Sequence, residues 1–147
     1  MRLHSIRPAD AERLASWLPD VASEAGWADW AEPDALSRSI HDPQVLTNDS
    51  STAFLVFELA SPAQHAARVD FLAVLPERRR LGIGGQAAIS LECHLRDKAR
   101  RVYTFVPASI GLALYFWLRL GYQPLTQADW PAPPETGPQG VWMKLEL

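Results

Sequence analysis

Cysteine is almost missing from this sequence. Cys93 is the only one, so no internal disulfide can form, and a reducing cytoplasm is the expected compartment. Long apolar runs are missing too. None approaches the roughly 20 residues a membrane-spanning helix needs, and the first residues pass quickly from a short apolar start into a polar helix start, unlike a secretion signal. There is no excess of positive charge: 14 Lys and Arg against 17 Asp and Glu leave a net charge of −3. That balance gives no bulk attraction to nucleic acid or to an anionic membrane, and neither is expected as a partner. The histidines show no metal-ligand spacing, and Cys93 and His94 would point about 100° apart on a helix, a poor dyad. No metal is expected. Internal repeats are absent, and the only biased patch is the proline-rich stretch of Pro131, Pro133, Pro134 and Pro138.

What the sequence does contain is a core. With 147 residues, 48% of them hydrophobic, it is long enough for one domain spanning the whole chain. Its organising stretch is Val69 to Gln86. Val69, Phe71, Ala73 and Leu75 alternate with Asp70, Leu72 and Val74, and both sets are largely apolar. The pattern predicts a central strand buried on both faces, with Asp70 as the single misfit. Pro76 ends the strand by removing a backbone donor. Arg78, Arg79 and Arg80 follow, then Gly82, Gly84 and Gly85, and then a helical run from about Ile83 to Lys98. A strand, a basic glycine-rich turn and a helix N-terminus make an anion site, because the first-turn amides are free and the macrodipole is positive there.

Two phosphate motifs can be weighed against this turn. The Walker form requires Lys followed by Ser or Thr, and Gln86-Ala87 fails it. The dinucleotide fingerprint is formally met by Gly82, Gly84 and Ala87, which keeps a nucleotide-binding domain as a rival. Its turn, however, normally follows the strand directly, and no acid stands about twenty residues further on.

Taken in order, Leu3–Arg7 reads as a first strand. Pro8 then opens a helix with Ala11, Leu14, Ala15 and Leu18 on one face, closed by Pro19 and Gly26. A second helix is predicted from Pro33 to about Ile40. Val45–Thr47 and Ala53–Leu59 read as strands around Asn48-Asp49-Ser50. The central strand starts near Ala66. Arg101–Val106 is another strand, and an apolar helix runs to Leu120 with Gly121 as its stop. Tyr122–Leu125 and Gly140–Leu147 close the chain, joined by a stiff loop from Trp130 to Gln139. The order describes an α/β (α+β) domain, a mixed central sheet flanked by helices.

The turn resembles the acetyl-CoA loop of the GCN5-related N-acetyltransferases (GNAT). That loop has the form Arg/Gln-x-x-Gly-x-Gly/Ala after a strand ending in Val-x-Pro. Here it reads Val74-Leu75-Pro76, then Arg79-Arg80-Leu81-Gly82-Ile83-Gly84. The resemblance extends to the apolar helix, where Ala113, Phe116, Gly121 and Tyr122 are in register. It implies an acetyl-CoA-dependent transferase acting on a small-molecule or peptide amine by direct attack on the thioester, with a homodimer as a possible assembly. It further implies that backbone groups of Leu72, Ala73 and Val74 meet the pantetheine arm. The pyrophosphate would be held by Arg79, Arg80, Leu81, Gly82, Ile83, Gly84 and Gly85, and Trp117 would pack along the coenzyme. Arg80 stands where the family often has Gly, and Leu81 where it often has Arg. The family's Asn falls on Ile110 and its frequent general-acid Tyr on Trp117. A non-catalytic acyl-CoA-binding module is therefore the alternative.

Each candidate has an ordinary reading beside it. The Arg79–Gly85 turn is either a coenzyme site or a charged surface turn. In some members of the family a catalytic Glu lies on the central strand, at the position of Arg68. Asp70 is two residues on, roughly 6.6 Å along the strand, and faces the same side. It is either the general base, its pKa raised by desolvation, or a structural carboxylate bonded to a backbone amide or to Arg68. A second family position for the base falls on Phe105, which cannot serve. Trp17, Trp27 and Trp30 stand near Glu24, Asp29, Glu32 and Asp34. They form either an acceptor pocket for a cationic amine, with Trp27 and Trp30 as its contacts, or helix packing with an acidic rim.

Overall fold

The computed structural model describes residues 1–132 and 139–147. Its elements run β1 (Leu3–Ser5), α1 (Pro8–Ala15), α2 (Leu18–Glu24), α3 (Ala28–Ala31), α4 (Ala35–Arg38), β2 (Val45–Asn48), β3 (Ala53–Leu59) and β4 (Ala66–Val74). They continue with α5 (Ile83–Leu95), β5 (Arg101–Pro107), α6 (Gly111–Arg119), β6 (Gln123–Pro124) and β7 (Gly140–Glu146). Among the described residues the strands form one mixed sheet of seven, in the order β1-β2-β3-β4-β5-β7-β6. β2 is antiparallel to β1 and to β3, β4 runs parallel to β5, and β7 is antiparallel to both β5 and β6. This is the α/β architecture that the order of elements predicts. Among the described residues no helix is long and apolar enough to cross a membrane. Of the expected proline-rich connector, Pro133, Pro134 and Pro138 lie outside the described residues.

Four expectations need correction. The first helix is two helices, because the chain breaks at Ser16–Trp17, where the Trp17 indole N–H donates to the Ser51 carbonyl at 3.1 Å. Pro19 therefore sits in the first turn of α2, where its missing N–H costs nothing, rather than at the end of α1. The second predicted helix shortens to α4, and α3 forms ahead of it. The closing Tyr122–Leu125 strand shrinks to β6, an edge strand of two residues whose proline blunts it. The fourth concerns the central strand. Val69, Phe71 and Ala73 are buried while Arg68, Asp70, Leu72 and Val74 are partly exposed. The run is not buried throughout, and Asp70 belongs to the wetter set.

Close contacts divide the chain into two compact units, Met1–Val56 with Phe71–Leu91, and Phe57–Asp70 with Glu92–Leu147. In the first, Ile6, Leu14, Trp17, Leu18 and Phe54 pack with Phe71 and Ala73. Asp10 is fully buried here and carries its charge among donors. Its Oδ2 accepts from the Arg7 backbone N–H (3.0 Å) and Nε (2.9 Å), and its Oδ1 accepts from Arg13 Nη2 (2.9 Å) and the Ser51 hydroxyl (3.1 Å). In the second unit, Tyr103, Phe105, Trp130 and Trp142 form an aromatic cluster. α6 ends as its Gly121 predicts, with φ +93 at the glycine and the Tyr122 N–H returning to the Trp117 carbonyl at 3.1 Å.

Candidate functional site

The turn after β4 is built in three steps. The Leu75 N–H bonds to the Thr52 carbonyl at 2.8 Å, holding the strand end, and Pro76 opens a single 3-10 turn through Arg78. Arg79 is extended, and its Nε reaches back to the Val74 carbonyl at 3.4 Å. Arg80 and Gly82 then adopt left-handed conformations, φ +67 and +78, and α5 begins at Ile83. A β-carbon at Gly82 would meet nothing within 4 Å, so glycine is needed there for its φ and not for space. Arg80 has no such freedom. A non-glycine residue in this region is strained by about 1–2 kcal/mol.

The first helical bond from this turn is the Gln86 N–H to the Gly82 carbonyl, 3.0 Å. The amides of Ile83, Gly84 and Gly85 precede it and are first-turn donors without intrahelical acceptors. Arg78 through Gly82 are exposed and Ile83 through Gly85 half-buried, whereas Ala87, Ala88 and Leu91 are buried beneath. Among the described residues Arg78, Arg79 and Arg80 make no ion pair. Free amides, a positive helix end and unneutralised guanidinium groups suit a pyrophosphate.

The strand leading in adds backbone to this arrangement. The pairing of β4 with β5 ends at Val69↔Thr104, and the Thr104 hydroxyl bonds to the Val69 carbonyl at 3.2 Å. β4 continues to Val74, so Leu72, Ala73 and Val74 lie beyond the last pair in that ladder. A strand whose ladder has run out presents amide and carbonyl groups to any extended amide-bearing ligand.

Asp70 has taken up its arginine. Arg68 Nε donates to Asp70 Oδ1 at 2.6 Å, and Nη2 of the same guanidinium donates to Glu58 Oε2 at 2.5 Å. Burial pushes the Asp70 carboxyl up, the Arg68 hydrogen bond and charge pull it down, and Glu58 pushes it up again; the balance is a raised pKa. The Arg68 pairing and the raised pKa thus occur together. Glu58 has no signature in the sequence. It stands next to last in β3 among apolar residues, and only the placing of β3 beside β4 in the sheet brings it to Arg68.

The remaining candidates are placed as follows. Trp117 is buried, with its ring 4.8 Å from Tyr122 in an edge contact, and Tyr115 is 67% exposed. Residues two apart on a helix point about 200° apart, so these two cannot share a surface. Ile110 precedes α6 with no side-chain cap. Trp27 lies 5.1 Å from the Phe71 ring and Trp30 4.8 Å from Phe54, both half-buried against the core of their unit. Glu92 and Tyr122 form a further pair without a sequence signal. Both have raised pKa values, first through burial, and the Glu92 Oε1 is buried without a partner among the described residues.

No family model matches the chain, and no curated protein matches it. Solved structures do. An acetyltransferase from Thermus thermophilus superposes with a TM-score of 0.75 at 21% identity, covering 99% of this chain and 96% of that one. The GNAT domain of S. lividans PAT gives 0.73 at 17% identity, covering 99% and 90%. N-acetylglutamate synthase from Neisseria gonorrhoeae, complexed with coenzyme A and N-acetyl-glutamate, gives 0.69 at 15% identity, covering 99% of this chain and 35% of that one.

Proposed function

We propose that this chain, which has the GNAT fold, is an acetyl-CoA-dependent N-acetyltransferase. The observation that carries the reading is the turn itself. Arg80 and Gly82 are left-handed ahead of a helix whose first-turn amides have no intrahelical acceptor, and three arginines that make no ion pair among the described residues stand in the same turn. In that reading the amides from Leu81 to Gly85 hold the pyrophosphate, helped by Arg79 and Arg80, and Leu72, Ala73 and Val74 offer backbone to the pantetheine arm. Trp117 contributes packing along the coenzyme and no proton, since an indole N–H does not ionise usefully.

Acetyl-CoA supplies the thioester. The chain supplies alignment, a backbone donor on β4 for the developing oxyanion, and a base. An acceptor amine arrives mostly as ammonium, with a pKa near 10, and must lose a proton before it attacks. Asp70 is proposed as that base, and Trp27 and Trp30 as the apolar side of the acceptor's seat.

Thermal shift and calorimetry with acetyl-CoA test the reading. At a hundred times its dissociation constant the ligand should add about 2.7 kcal/mol of stability. Gly84→Val, which crowds the backbone against phosphate, should remove that gain and leave the protein folded. A parent protein that shows neither shift nor heat at saturating acetyl-CoA would sink it. Tyr115 turned to solvent and Trp117 at the usual acid position favour a second reading, an acyl-CoA-binding module without chemistry. An amine panel with thiol detection separates the two.

A further inference from the structure

Asp70, Arg68 and Glu58 lie in one compact unit and are joined through one guanidinium. Arg68 uses different nitrogens for its two acids, Nε for Asp70 and Nη2 for Glu58, so both bonds stand at once. The planar fork therefore fixes the Asp70 carboxyl through Oδ1. Among the described residues nothing donates to the other oxygen, Oδ2. The two acids are unequally wet: the Asp70 side chain is 16% exposed and that of Glu58 48%. Among the described residues Arg68 and Glu58 are the charged groups that act on Asp70, one from its own strand and one from β3.

We propose that Arg68 and Glu58 are positioning residues for Asp70: Arg68 holds Oδ1 and leaves Oδ2 open, and Glu58, by sharing the guanidinium, sets how strongly Arg68 opposes protonation of that oxygen. The inference rests on the reading of Asp70 as the base. A carboxylate bound to an unshared guanidinium is a poor base, and one acted on by desolvation alone holds its proton more firmly. The Glu58–Arg68–Asp70 arrangement lies between these limits. Its sum of one positive and two negative charges also suits an ammonium acceptor. A proton passes from the acceptor nitrogen to Oδ2, and the freed lone pair attacks the thioester carbonyl of acetyl-CoA. The attached nitrogen gives its second proton to water as the tetrahedral adduct collapses, and the carbon–sulfur bond breaks with its electrons on sulfur. The thiolate takes a proton from water, and Asp70 returns its proton to solvent.

The Asp70 side-chain carboxyl carbon can be followed by NMR across pH in the parent, Glu58→Gln, Arg68→Gln and Arg68→Lys proteins. The titration midpoint should move up in Arg68→Gln, move down in Glu58→Gln, and stay nearer the parent in Arg68→Lys, which restores the charge. Activity is read with acetyl-CoA and the fastest acceptor among spermidine, tyramine and a lysine-containing peptide. The acid limb of kcat/KM should shift in the same directions. A purely structural role for Arg68 would lower the amount of folded protein without moving the two midpoints oppositely. Midpoints that stay put, or move the same way in Arg68→Gln and Glu58→Gln while the spectra remain folded, would overturn the inference. Undiminished turnover in Asp70→Asn would overturn the base reading beneath it. A turnover that collapses in Asp70→Asn, beside unmoved midpoints, would overturn the inference alone.

Discussion

At Asp10, burial alone would raise the carboxyl, yet the Arg7 side chain and backbone and the Ser51 hydroxyl outweigh it and hold the group down to about 2. Charge-assisted bonds of this kind are worth on the order of 1.5–3 kcal/mol each, and removing their shared acceptor strands several donors together. Asp10→Asn should therefore cost about 2–3 kcal/mol at neutral pH. A depressed folded pKa means that the contribution is complete above the ordinary carboxyl range. It should fade as pH falls from about 4 toward about 2. Urea melts of parent and variant across that window should converge at the acid end. A gap that persists at low pH would assign the loss to shape and not to charge. Nothing in the sequence distinguishes this aspartate from any acid in a first helical turn. Its role appears only when β1, α1 and the turn after β2 are brought together.

Elements were legible where the chemistry is local. The strand, proline, arginine and glycine order from Val69 to Gly85 predicts strand, turn and helix, and the structure has all three. Gly121 predicts the end of α6, because a left-handed residue there can close the last turn. Two kinds of feature were not legible. One is a break decided at a distance, such as that at Trp17, whose indole is claimed by Ser51, 34 positions away. The other is the pairing of strands across the sheet, which places Glu58 of β3 beside Arg68 of β4.

Two glycines on different elements separate conformational from steric need. Gly82 has open space around it, so Gly82→Ala suffers only from its left-handed φ, about 1 kcal/mol, on an exposed turn that can adjust. The thermal midpoint should fall by only about 2–4 °C while acetyl-CoA affinity falls. Gly140, at the start of β7, has no room: a β-carbon would overlap the Val106 carbonyl oxygen and lie 2.8 Å from Phe105 Cζ. Gly140→Ala should cost roughly 1–3 kcal/mol, through crowding of the β5–β7 pair. Equal melting curves for the two variants would contradict this division.

For the molecule as a whole, the net charge of −3 and the three consecutive arginines of the turn pull in opposite directions. An anionic coenzyme approaching an acidic protein is repelled at long range and attracted close to Arg78–Arg80. Added salt screens both, but the near attraction dominates once the phosphates dock. Affinity for acetyl-CoA should fall as salt rises from about 50 to about 300 mM. Replacing Arg79 and Arg80 together by Gln should flatten that slope as well as weaken binding. A slope unchanged in the double variant would place the phosphate contacts elsewhere.

The same exposed run, Arg78-Arg79-Arg80, is also a built-in nicking site. Trypsin cuts after arginine wherever backbone can be drawn into its cleft, and here three candidate bonds sit in succession on an exposed turn. Limited digestion should open the chain there first, leaving one fragment that ends at the arginines and one that begins near Leu81. Saturating acetyl-CoA should slow that cut by covering the turn. Occupancy of the turn could then be read from a gel band before any acceptor is known.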